Sequence, residues 1–506
     1  MNGAQALIRT LVDSGVDVCF ANPGTSEMHF VAALDDVPEM RGVLALAEGV
    51  VTGAADGYAR MADKPAATLL HLGPGLANGL ANLHNARRAH TPVVNVIGDH
   101  ALPHKALDAP LESDIDALTG WTGGWSRSCL SSDQVGVDAA AAVAAARSGR
   151  IANLVLPADV SWGDGGVAAG PVPVSPRVSV AEERLVEVAG ILRPGTVLLL
   201  GGAATRSRGL LAASRIAAAT GVRLFVETFP ARLERGAGLP NVERLGYLAE
   251  QVEWQLTGVE NLVLVGARPP VSFFAYPGKA SELTPAGCST VSLPEDALER
   301  LADMVAAGVS PVVAPAERPE MPSGELTVQN WVSVVGALLP EGAIISDEAN
   351  TSGVLLPAAT AGAPRHDVLT LTGGAIGQGL PVAVGAALAC PSRPVICLQS
   401  DGSAMYTISA LWTMARENLN VTTVILNNRA YAILRLELTR VGASGGDRAR
   451  ALLDLGSPEI DFVRIAEGMG VSASRAGTVE ELAEQFERAV GEEGPHLIDA
   501  AVPAFM

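Results

Sequence analysis

The sequence predicts an α/β protein of three domains, each a largely parallel β-sheet with helices on both faces, which is the doubly wound arrangement. Short apolar runs that suit buried strands alternate with longer helical stretches, a pattern typical of covered parallel sheets. The composition is 48% hydrophobic but only 4% aromatic, with 54 glycines among 506 residues, which suits aliphatic α/β layers and excludes disorder. Two proline-rich passages, at residues 164–179 and 311–325, divide the chain into three parts.

Each part contains its own alternation of strand-like and helical stretches. In residues 1–165 the strand-like runs are 16–20, 66–71 and 93–97, and the helical stretches are 48–61 and 78–90. In residues 180–312 the strand-like runs are 197–200, 223–226 and 262–265, with a helical stretch at 208–220. In residues 326–506 the strand-like runs are 343–346, 395–398 and 422–426, with a glycine-rich turn at 373–379. We expect three domains with these boundaries.

Charge and cysteine content narrow the class of function. The net charge of -19 disfavours binding to nucleic acid or to an anionic membrane surface, so a small-molecule partner is expected. The five cysteines are scattered and form no CxxC pair, which argues against a disulfide scaffold and against a thiolate metal site. The N-terminus lacks the features of a signal peptide, and no apolar run reaches the ~20 residues of a membrane span. We therefore expect a cytoplasmic protein.

One segment carries most of the predicted chemistry. Residues 399–432 follow the strand-like run 395–398 and include the run 422–426, with Asp401 after the first run and Asn428 after the second. Because the carboxyl ends of parallel strands lie at one edge of a sheet, these two side chains can converge. Mg²⁺ prefers oxygen ligands, with one or two from carboxylates and the rest from phosphates, carbonyls and water. The pair therefore indicates a Mg²⁺ site that bridges a diphosphate, with further donors from Gly402 and Ser403.

An acidic-Gly turn followed by an Asn-Asn pair at this interval resembles the thiamine diphosphate motif of the acetolactate synthase and benzoylformate decarboxylase superfamily. The resemblance covers essentially the whole chain and implies a pyrimidine-binding, a central and a diphosphate-binding domain. It implies thiamine diphosphate as the cofactor and Mg²⁺ bound by Asp401, the side chain of Asn428 and the backbone carbonyl of Ala430. The family's usual glycine before the aspartate is Ser400 here, which costs turn freedom but removes no ligand.

Three residues of the first part match the same family. Glu48 opens a predicted helix among apolar neighbours, where burial would raise its proton affinity, although an acid stabilised by the helix dipole is the alternative. The resemblance makes Glu48 the cofactor activator. Thr25, in the turn ANPGTSE, matches an active-site serine of benzoylformate decarboxylase. His71 follows a strand-like run and matches an active-site histidine that could protonate a carbanion-like intermediate, with a purely structural histidine as the alternative.

The glycines of the turn at 373–379 let the backbone approach a flat heterocycle closely, and a helix is expected to begin at Pro381. By resemblance, the Gly374 carbonyl accepts a hydrogen bond from the aminopyrimidine, and Ile376 is the wedge that bends the cofactor. The family also implies that Asn350 and Thr351 contact the diphosphate, with Tyr406 as a third candidate, in addition to the donors that Gly402 and Ser403 offer.

The resemblance implies decarboxylation of a 2-oxo acid to an enamine, which then takes up either a second carbonyl compound or a proton. We expect the first outcome, an acetolactate synthase-like carboligase; the alternative is a simple decarboxylase that releases an aldehyde. His71 favours protonation, but Phe273 and Phe274 stand where benzoylformate decarboxylase has its second histidine. One hypothesis is that His100 or His104 supplies the missing acid.

One further departure from the family pattern and two rival functions bear on the prediction. Residues 266–268 read GAR, as in acetolactate synthases, but PPVSFF follows them, so FAD is not expected. The GxSxG pattern at 442–446 suggests a hydrolase, but the residues before it look helical and charged, unlike the strand that a nucleophile elbow needs. A non-catalytic cofactor-binding relative is the second rival.

By resemblance, the first domain of one subunit faces the third domain of another, so we expect a homodimer or homotetramer with active sites at the interface.

Overall fold

The computed structural model describes residues 1–173, 179–443 and 445–504, and it confirms an α/β fold with three sheets dominated by parallel strands. The serine of the GxSxG pattern, Ser444, lies outside the described residues. The charged stretch before that pattern forms a helix, residues Ala432–Arg440, so the strand of a nucleophile elbow does not precede it. Among the described residues, no helix is long and apolar enough to cross a membrane.

The first sheet has six parallel strands in the order β2-β1-β3-β4-β6-β5. Its strands are β1 Val18–Ala21, β2 Arg41–Leu44, β3 Ala66–Leu70, β4 Val93–Asp99, β5 Trp125–Ser128 and β6 Ile151–Pro157. The helices of this unit are α1 Gly3–Asp13, α2 Met28–Asp36, α3 Glu48–Ala62, α4 Leu72–Arg88, α5 Ile115–Trp121, α6 Val135–Arg147 and α7 Ala158–Trp162.

The central sheet has five parallel strands in the order β10-β8-β7-β11-β12. The strands of this part of the chain are β7 Thr196–Leu200, β8 Arg223–Val226, β9 Leu233–Arg235, β10 Glu243–Arg244, β11 Asn261–Val265 and β12 Ser289–Leu293. Its helices are α8 Glu182–Ile191, α9 Ser207–Thr220, α10 Ala249–Gln255 and α11 Leu298–Val305.

The third sheet has seven strands in the order β17-β18-β16-β15-β13-β14-β9. Its own strands are β13 Ile344–Glu348, β14 His366–Thr370, β15 Val395–Ser400, β16 Val421–Asn427, β17 Ser472–Ala476 and β18 His496–Ala501. Its helices are α12 Trp331–Leu338, α13 Leu356–Ala359, α14 Gly379–Ala389, α15 Asp401–Ala404, α16 Ala410–Arg416, α17 Ala432–Arg440, α18 Asp447–Ala451, α19 Phe462–Gly468 and α20 Val479–Gly491. The edge strand β9 comes from the central part of the chain and pairs antiparallel with β14. The predicted domain boundaries place β9 in the central domain, and those boundaries stay a prediction.

The first and third units share one hydrophobic core. A single cluster of buried side chains joins one face of the first sheet, through helices α3, α4 and α14, to one face of the third sheet. Helices α3 and α14 approach closely because glycines face backbone: a Cβ on Gly57 would lie 2.2 Å from the Val382 carbonyl oxygen, and one on Gly385 would lie 1.9 Å from that of Ala54. The packing therefore holds the two predicted cofactor-binding units against each other within one chain.

Three elements start two or more residues away from the position that the sequence predicts. Strand β1 lies two residues later than expected at its start, at Val18. Helix α4 begins at Leu72 rather than near residue 78, because its Gly-Pro-Gly sequence fits a first turn, where proline needs no hydrogen-bonded N–H. Helix α14 likewise begins at Gly379, so Pro381 lies in its first turn.

Candidate active site

Asp401 and Asn428 meet at the carboxyl edge of the third sheet. Strands β15 and β16 are adjacent and parallel, with Ser400 opposite Leu426, so the residues that follow them emerge side by side. The Asp401 carboxylate is 2% exposed; its Oδ2 accepts a hydrogen bond from the backbone N–H of Arg429 at 2.6 Å, and its Oδ1 accepts one from Gly402 at 2.8 Å. The structure thus brings the predicted acid next to the Asn-Asn turn.

The electrostatics of this edge suit a hard cation. Burial raises the pKa of Asp401 above its usual value, while the backbone N–H groups of the turn partly offset that rise. The Asn428 Oδ1 accepts the backbone N–H of Ala430 at 3.0 Å, which holds the amide oxygen at the turn. Among the described residues, no group of three or more His, Cys, Asp or Glu side chains could hold a metal ion. A Mg²⁺ ion here would depend on one carboxylate, one amide oxygen, the Ala430 carbonyl and a diphosphate, a donor set that suits Mg²⁺.

Ser400, the departure from the family pattern, fits its position without strain. Its backbone is extended, with φ -76° and ψ 149°, so a glycine is not required there. Its hydroxyl donates to the backbone carbonyl of Glu348 at 3.2 Å and accepts from the Asn350 side-chain amide at 3.3 Å. The serine therefore links the turn after β15 to Asn350, one of the expected diphosphate contacts. Thr351 follows Asn350 in the same short 3-10 helix, residues Asn350–Gly353.

A close aromatic contact restricts the turn after Asp401. A Cβ on Gly402 would lie 2.4 Å from Cε1 of Tyr431, so only glycine fits beneath that ring. The Ser403 hydroxyl is buried and donates to the Ser400 carbonyl at 3.1 Å, so its side chain is engaged within the turn. Tyr406 is exposed at the same edge and interacts with Tyr431. Its Cβ lies 2.5 Å from where a Cβ on Gly377 would stand, so the tyrosine packs directly on the glycine-rich turn.

The glycine-rich turn has two glycines at positive φ, Gly374 at 73° and Gly377 at 94°. Gly374 is exposed, and Ile376 lies two residues beyond it, half-buried. Glu348, the last residue of β13, holds this turn: its carboxylate accepts hydrogen bonds from the backbone N–H of Gly377 at 2.7 Å and from that of Gly379 at 2.5 Å. Burial raises the pKa of Glu348, and these backbone donors counteract the rise.

The sequence prediction missed Glu348. Its only sequence signal is its position at the end of β13, a strand adjacent to β15 in the same parallel sheet.

Aromatic side chains from the central part of the chain lie beside this turn. Cε1 of Phe273 would be 3.9 Å from a Cβ on Gly374. The Phe273 ring packs against Tyr247, with centroids 4.7 Å apart, and against Phe229, with centroids 5.5 Å apart. Phe274 is more exposed than Phe273. The position that the family comparison gives to a histidine is thus an apolar wall.

Glu48 stands at the carboxyl edge of the first sheet, as the first residue of α3. It is 7% exposed, and each of its carboxylate oxygens accepts one side-chain amide hydrogen bond: from Asn22 at 3.0 Å and from Asn78 at 3.1 Å. Asn22 directly follows β1 and Asn78 lies in α4; neither residue was predicted from the sequence. Between them they fix the direction in which the carboxylate points.

His71 forms a compact acid-base cluster with the turn after β1. Its Nδ1 lies 3.0 Å from Oε2 of Glu27 and 3.2 Å from the hydroxyl of Ser26. The Glu27 carboxylate is buried, and it also accepts the backbone N–H of Gly24 at 2.6 Å and the hydroxyl of Ser26. Thr25 is in the same turn but makes none of these contacts. Within the ANPGTSE motif, the side chains that contact His71 are therefore Ser26 and Glu27, and the sequence alone does not indicate this proximity.

His100 and His104 lie together after β4, with ring centroids 5.3 Å apart. The Nε2 atom of His100 is buried without a hydrogen-bond partner among the described residues. Lys105, next along the chain, is paired with Asp99 at 2.7 Å and with Glu112 at 2.9 Å. His100 and His104 come after β4, which lies next to β3, the strand that precedes His71. In the described part of the chain, no direct contact connects the two histidines to His71.

Comparisons with known proteins agree with this geometry. The models of the N-terminal and C-terminal thiamine pyrophosphate-binding domains of thiamine pyrophosphate enzymes match residues 1–119 and 350–500. The chain is 64% identical, over all of both chains, to the Mycobacterium tuberculosis protein named "Putative acetolactate synthase large subunit IlvX". It is 29% identical to benzoylformate decarboxylase of Pseudomonas aeruginosa, with 96% of each chain covered.

A solved structure shows the same architecture. The thiamine diphosphate-dependent 4-hydroxybenzoylformate decarboxylase of Rhodococcus jostii RHA1 superposes with a TM-score of 0.87 at 25% identity, and each chain is covered completely. The two matched binding domains contain Glu48 at one sheet edge and the Asp401–Asn428 turn at the other. The chain therefore belongs to the thiamine pyrophosphate-dependent enzymes, in the group that includes acetolactate synthase and benzoylformate decarboxylase.

Proposed function

We propose that this chain is a thiamine diphosphate- and Mg²⁺-dependent 2-oxo acid decarboxylase and carboligase of the acetolactate synthase-like type. The observation that carries the reaction type is the apolar wall beside Gly374. Phe273, held by Phe229 and Tyr247, offers no proton donor there. A site with few proton donors on this side leaves the decarboxylated substrate fragment time to react with a second carbonyl compound. The relative named as an acetolactate synthase large subunit also favours this outcome.

The chain's own residues fit the proposed cofactor at both ends. Mg²⁺ would be held by Asp401, Asn428 and the Ala430 carbonyl, and the diphosphate would be held through the Mg²⁺ ion. The residues proposed to contact the diphosphate directly are Asn350, Thr351, Gly402, Ser403 and Tyr406. The conformation of the turn at Gly402 and the buried carboxylate of Asp401 are already set by the fold. Gly374 and Ile376 would contact the pyrimidine ring, and Glu48 would hold a proton at that ring.

Thiamine diphosphate supplies an acidic thiazolium carbon and an electron sink for the carbon that loses carbon dioxide. The protein supplies orientation and proton placement. Asn22 and Asn78 orient the Glu48 carboxylate by hydrogen bonds. Glu27 contacts Nδ1 of His71, which leaves Nε2 as the ring nitrogen available to a substrate. Thr25, beside this cluster, is proposed to contact the substrate. The ring of Phe273 adds an apolar surface beside Gly374.

The His71 cluster favours a second candidate function, a simple decarboxylase that releases an aldehyde. A histidine paired with a buried carboxylate is a competent proton donor, and Ser26 completes the cluster. This arrangement suits direct protonation of the decarboxylated fragment. The benzoylformate decarboxylase relatives carry that activity in their names.

We also propose a homodimer or homotetramer with active sites at the subunit interface. Large apolar side chains are exposed at both candidate edges: Met28 and Leu46 flank Glu27 and Glu48 in the first unit, and Phe274 and Leu434 lie near the third-unit edge. Exposed apolar groups beside a functional edge are typical of surfaces that a partner covers. Full activity from a species that sediments as a monomer would refute this part of the proposal.

The reaction type can be tested with purified protein, Mg²⁺, thiamine diphosphate and a panel of aliphatic and aromatic 2-oxo acids, with and without an aldehyde or a second 2-oxo acid. Carbon dioxide release with a hydroxy-ketone or acetohydroxy acid product supports the carboligase. Carbon dioxide release with only an aldehyde product supports the second candidate. Cofactor binding without carbon dioxide release from any substrate would leave a non-catalytic relative and overturn both.

Two variants serve as controls for that experiment. Glu48→Gln should abolish carbon dioxide release while Mg²⁺-dependent cofactor binding persists, because the carboxylate would contact only the pyrimidine end of the cofactor. Asp401→Ala should abolish Mg²⁺-dependent cofactor binding itself. Equal cofactor affinity of the Asp401→Ala variant and the unmodified protein would show that the proposed metal site is wrong.

A further inference from the structure

The glycine-rich turn that carries Gly374 is held by the first unit of the same chain. Helix α4 presents a row of polar side chains to it. His84 Nε2 lies 3.1 Å from the Gly373 carbonyl oxygen, and Asn82 Nδ2 donates to the Gly377 carbonyl at 3.3 Å. Asn85 contacts the part of the turn between Gly373 and Gly377. Gly374 itself remains exposed on the outer side of the turn.

Asn85 makes two hydrogen bonds to a single residue of the turn. Its Nδ2 donates to the Ala375 carbonyl at 2.8 Å, and its Oδ1 accepts the Ala375 backbone N–H at 3.2 Å. A primary amide used in this way replaces the neighbouring strand that a β-ladder would supply. The two peptide planes on either side of Ala375 are thereby fixed.

One of those planes contains the carbonyl of Gly374. The Gly374 C=O and the Ala375 N–H belong to the same planar trans peptide, so they point in opposite directions. Since Asn85 holds the N–H on the inner side of the turn, the Gly374 carbonyl must face the outer, exposed side. That carbonyl is the proposed acceptor for the cofactor's aminopyrimidine.

The amide that sets this orientation is itself rigid. Asn85 is fully buried, and its Nδ2 also donates to Oδ1 of Asn82 at 2.9 Å. The Thr372 hydroxyl donates to the Asn85 backbone carbonyl at 2.7 Å, which ties the start of the turn to the same residue. By contrast, Gly374 has a positive φ and little conformational preference of its own. The turn needs an external template, and α4 provides it.

The attachment of the two units to each other does not depend on Asn85. The close helix pair α3 and α14 and the shared hydrophobic core already join them. The Asn85 hydrogen bonds are therefore available for a different role. We infer that Asn85 is a positioning residue that aims the Gly374 carbonyl at the cofactor, acting through the Gly374–Ala375 peptide; the inference rests on the proposed function.

The test compares Asn85→Asp with the unmodified protein. Aspartate has the same shape as asparagine, but it cannot donate to the Ala375 carbonyl and places an anionic oxygen against it. We expect the dissociation constant for thiamine diphosphate at saturating Mg²⁺, measured by equilibrium titration, to rise about tenfold or more. We also expect faster amide hydrogen exchange at residues 372–378 in the cofactor-free protein, a change that does not depend on activity.

A matched control separates positioning from general stability. Asn95 is also fully buried in the first unit and bonds Asn153 at 2.8 Å, far along the chain from the turn. Asn95→Ala should lower the melting temperature without changing the dissociation constant or the exchange of residues 372–378. His84→Ala, at a half-buried position, should keep the fold and weaken cofactor binding by a smaller factor, about threefold.

The outcomes are distinguishable. If Asn85→Asp loses stability but keeps the cofactor affinity and turn protection of the unmodified protein, as the control does, Asn85 is structural and the inference is wrong. If Asn85→Asp does not fold, an unchanged affinity in His84→Ala overturns the inference, and the expected weaker affinity supports it. If the unmodified protein binds no thiamine diphosphate, the proposed function fails and the inference falls with it.

Discussion

The buried ion pair between Asp56 and Arg60 connects all three parts of the chain, and its removal gives the sharpest test of the packing. Both side chains belong to α3 and are at most 2% exposed. Arg60 contacts Asp56 through Nε at 2.8 Å and Nη2 at 2.6 Å. Its remaining donors reach the carbonyl of Ala231 in the central part and, in the third unit, the Thr370 carbonyl and the Thr372 hydroxyl.

The expected cost of breaking this pair can be estimated from its surroundings. Arg60→Met fills a similar volume but leaves Asp56 buried. Its remaining hydrogen-bond partners among the described residues are Thr91 at 2.7 Å and Gln378 at 2.8 Å. Removing one partner of a buried ion pair costs about 3–5 kcal/mol, because the other charge stays buried without compensation. We therefore expect Arg60→Met to lower the free energy of unfolding by about that amount.

The assay is urea unfolding followed by circular dichroism and by tryptophan fluorescence, because a chain of this size need not unfold in one step. The double variant Asp56→Asn, Arg60→Met removes the buried charge while the asparagine oxygen can still accept a hydrogen bond. It should recover all but about 1–2 kcal/mol of the loss. A loss below about 1 kcal/mol for Arg60→Met, or a double variant as unstable as the single one, would refute the reasoning.

Three other expectations follow from single contacts. Gly402→Ala places a Cβ 2.4 Å from a tyrosine ring carbon and should lower the free energy of unfolding by about 1–3 kcal/mol. The control, Gly491→Ala, places a Cβ where nothing lies within 4 Å, so it should be neutral or stabilising. Equal melting temperatures for the two variants would contradict this expectation. Glu27→Gln removes the charged partner of His71 and should lower kcat about 10²-fold in steady-state assays with the cofactor dissociation constant unchanged; an unaltered kcat would exclude the pair from proton transfer. Burial lowers the pKa of His366 from 6.5 to about 4. As the pH falls from 6.5 towards 4, this histidine is protonated in the unfolded chain but stays neutral in the folded chain, so the folded state loses stability. The unmodified protein should lose about 2 kcal/mol more than His366→Gln between pH 7 and pH 5 in urea unfolding, and parallel pH profiles for the two proteins would count against the buried histidine.

The sequence predicted the fold class because the alternation of strands and helices is a local signal. It also predicted where Asp401 and Asn428 would lie, since two adjacent parallel strands must end at the same edge. Glu48 was recognisable as the start of a helix. For each of these residues the position relative to a strand or helix end was enough, and no knowledge of remote contacts was needed.

Other features have no local signature. Strand β9 lies within the central part of the chain, yet it pairs with β14, and a strand of three residues gives no indication of which sheet it will join. Glu27 is an ordinary turn residue until its distance to His71 is known. The helix start at Leu72 was misplaced because a Gly-Pro-Gly sequence suits a loop as well as a first helical turn.

By itself, the sequence determined three parallel-sheet units, the acidic-Gly and Asn-Asn turns at one sheet edge, and membership of a cofactor-dependent family, because strand ends, turns and helix starts follow from neighbouring residues. Only the tertiary structure decided which side chains hold those turns in place. Asn85 and Ala375 are 290 positions apart, and Glu348 and Gly377 are 29 apart. Such pairs depend on how helices and sheets pack to within a few tenths of an ångström, and that geometry results from the whole chain rather than from any segment of it.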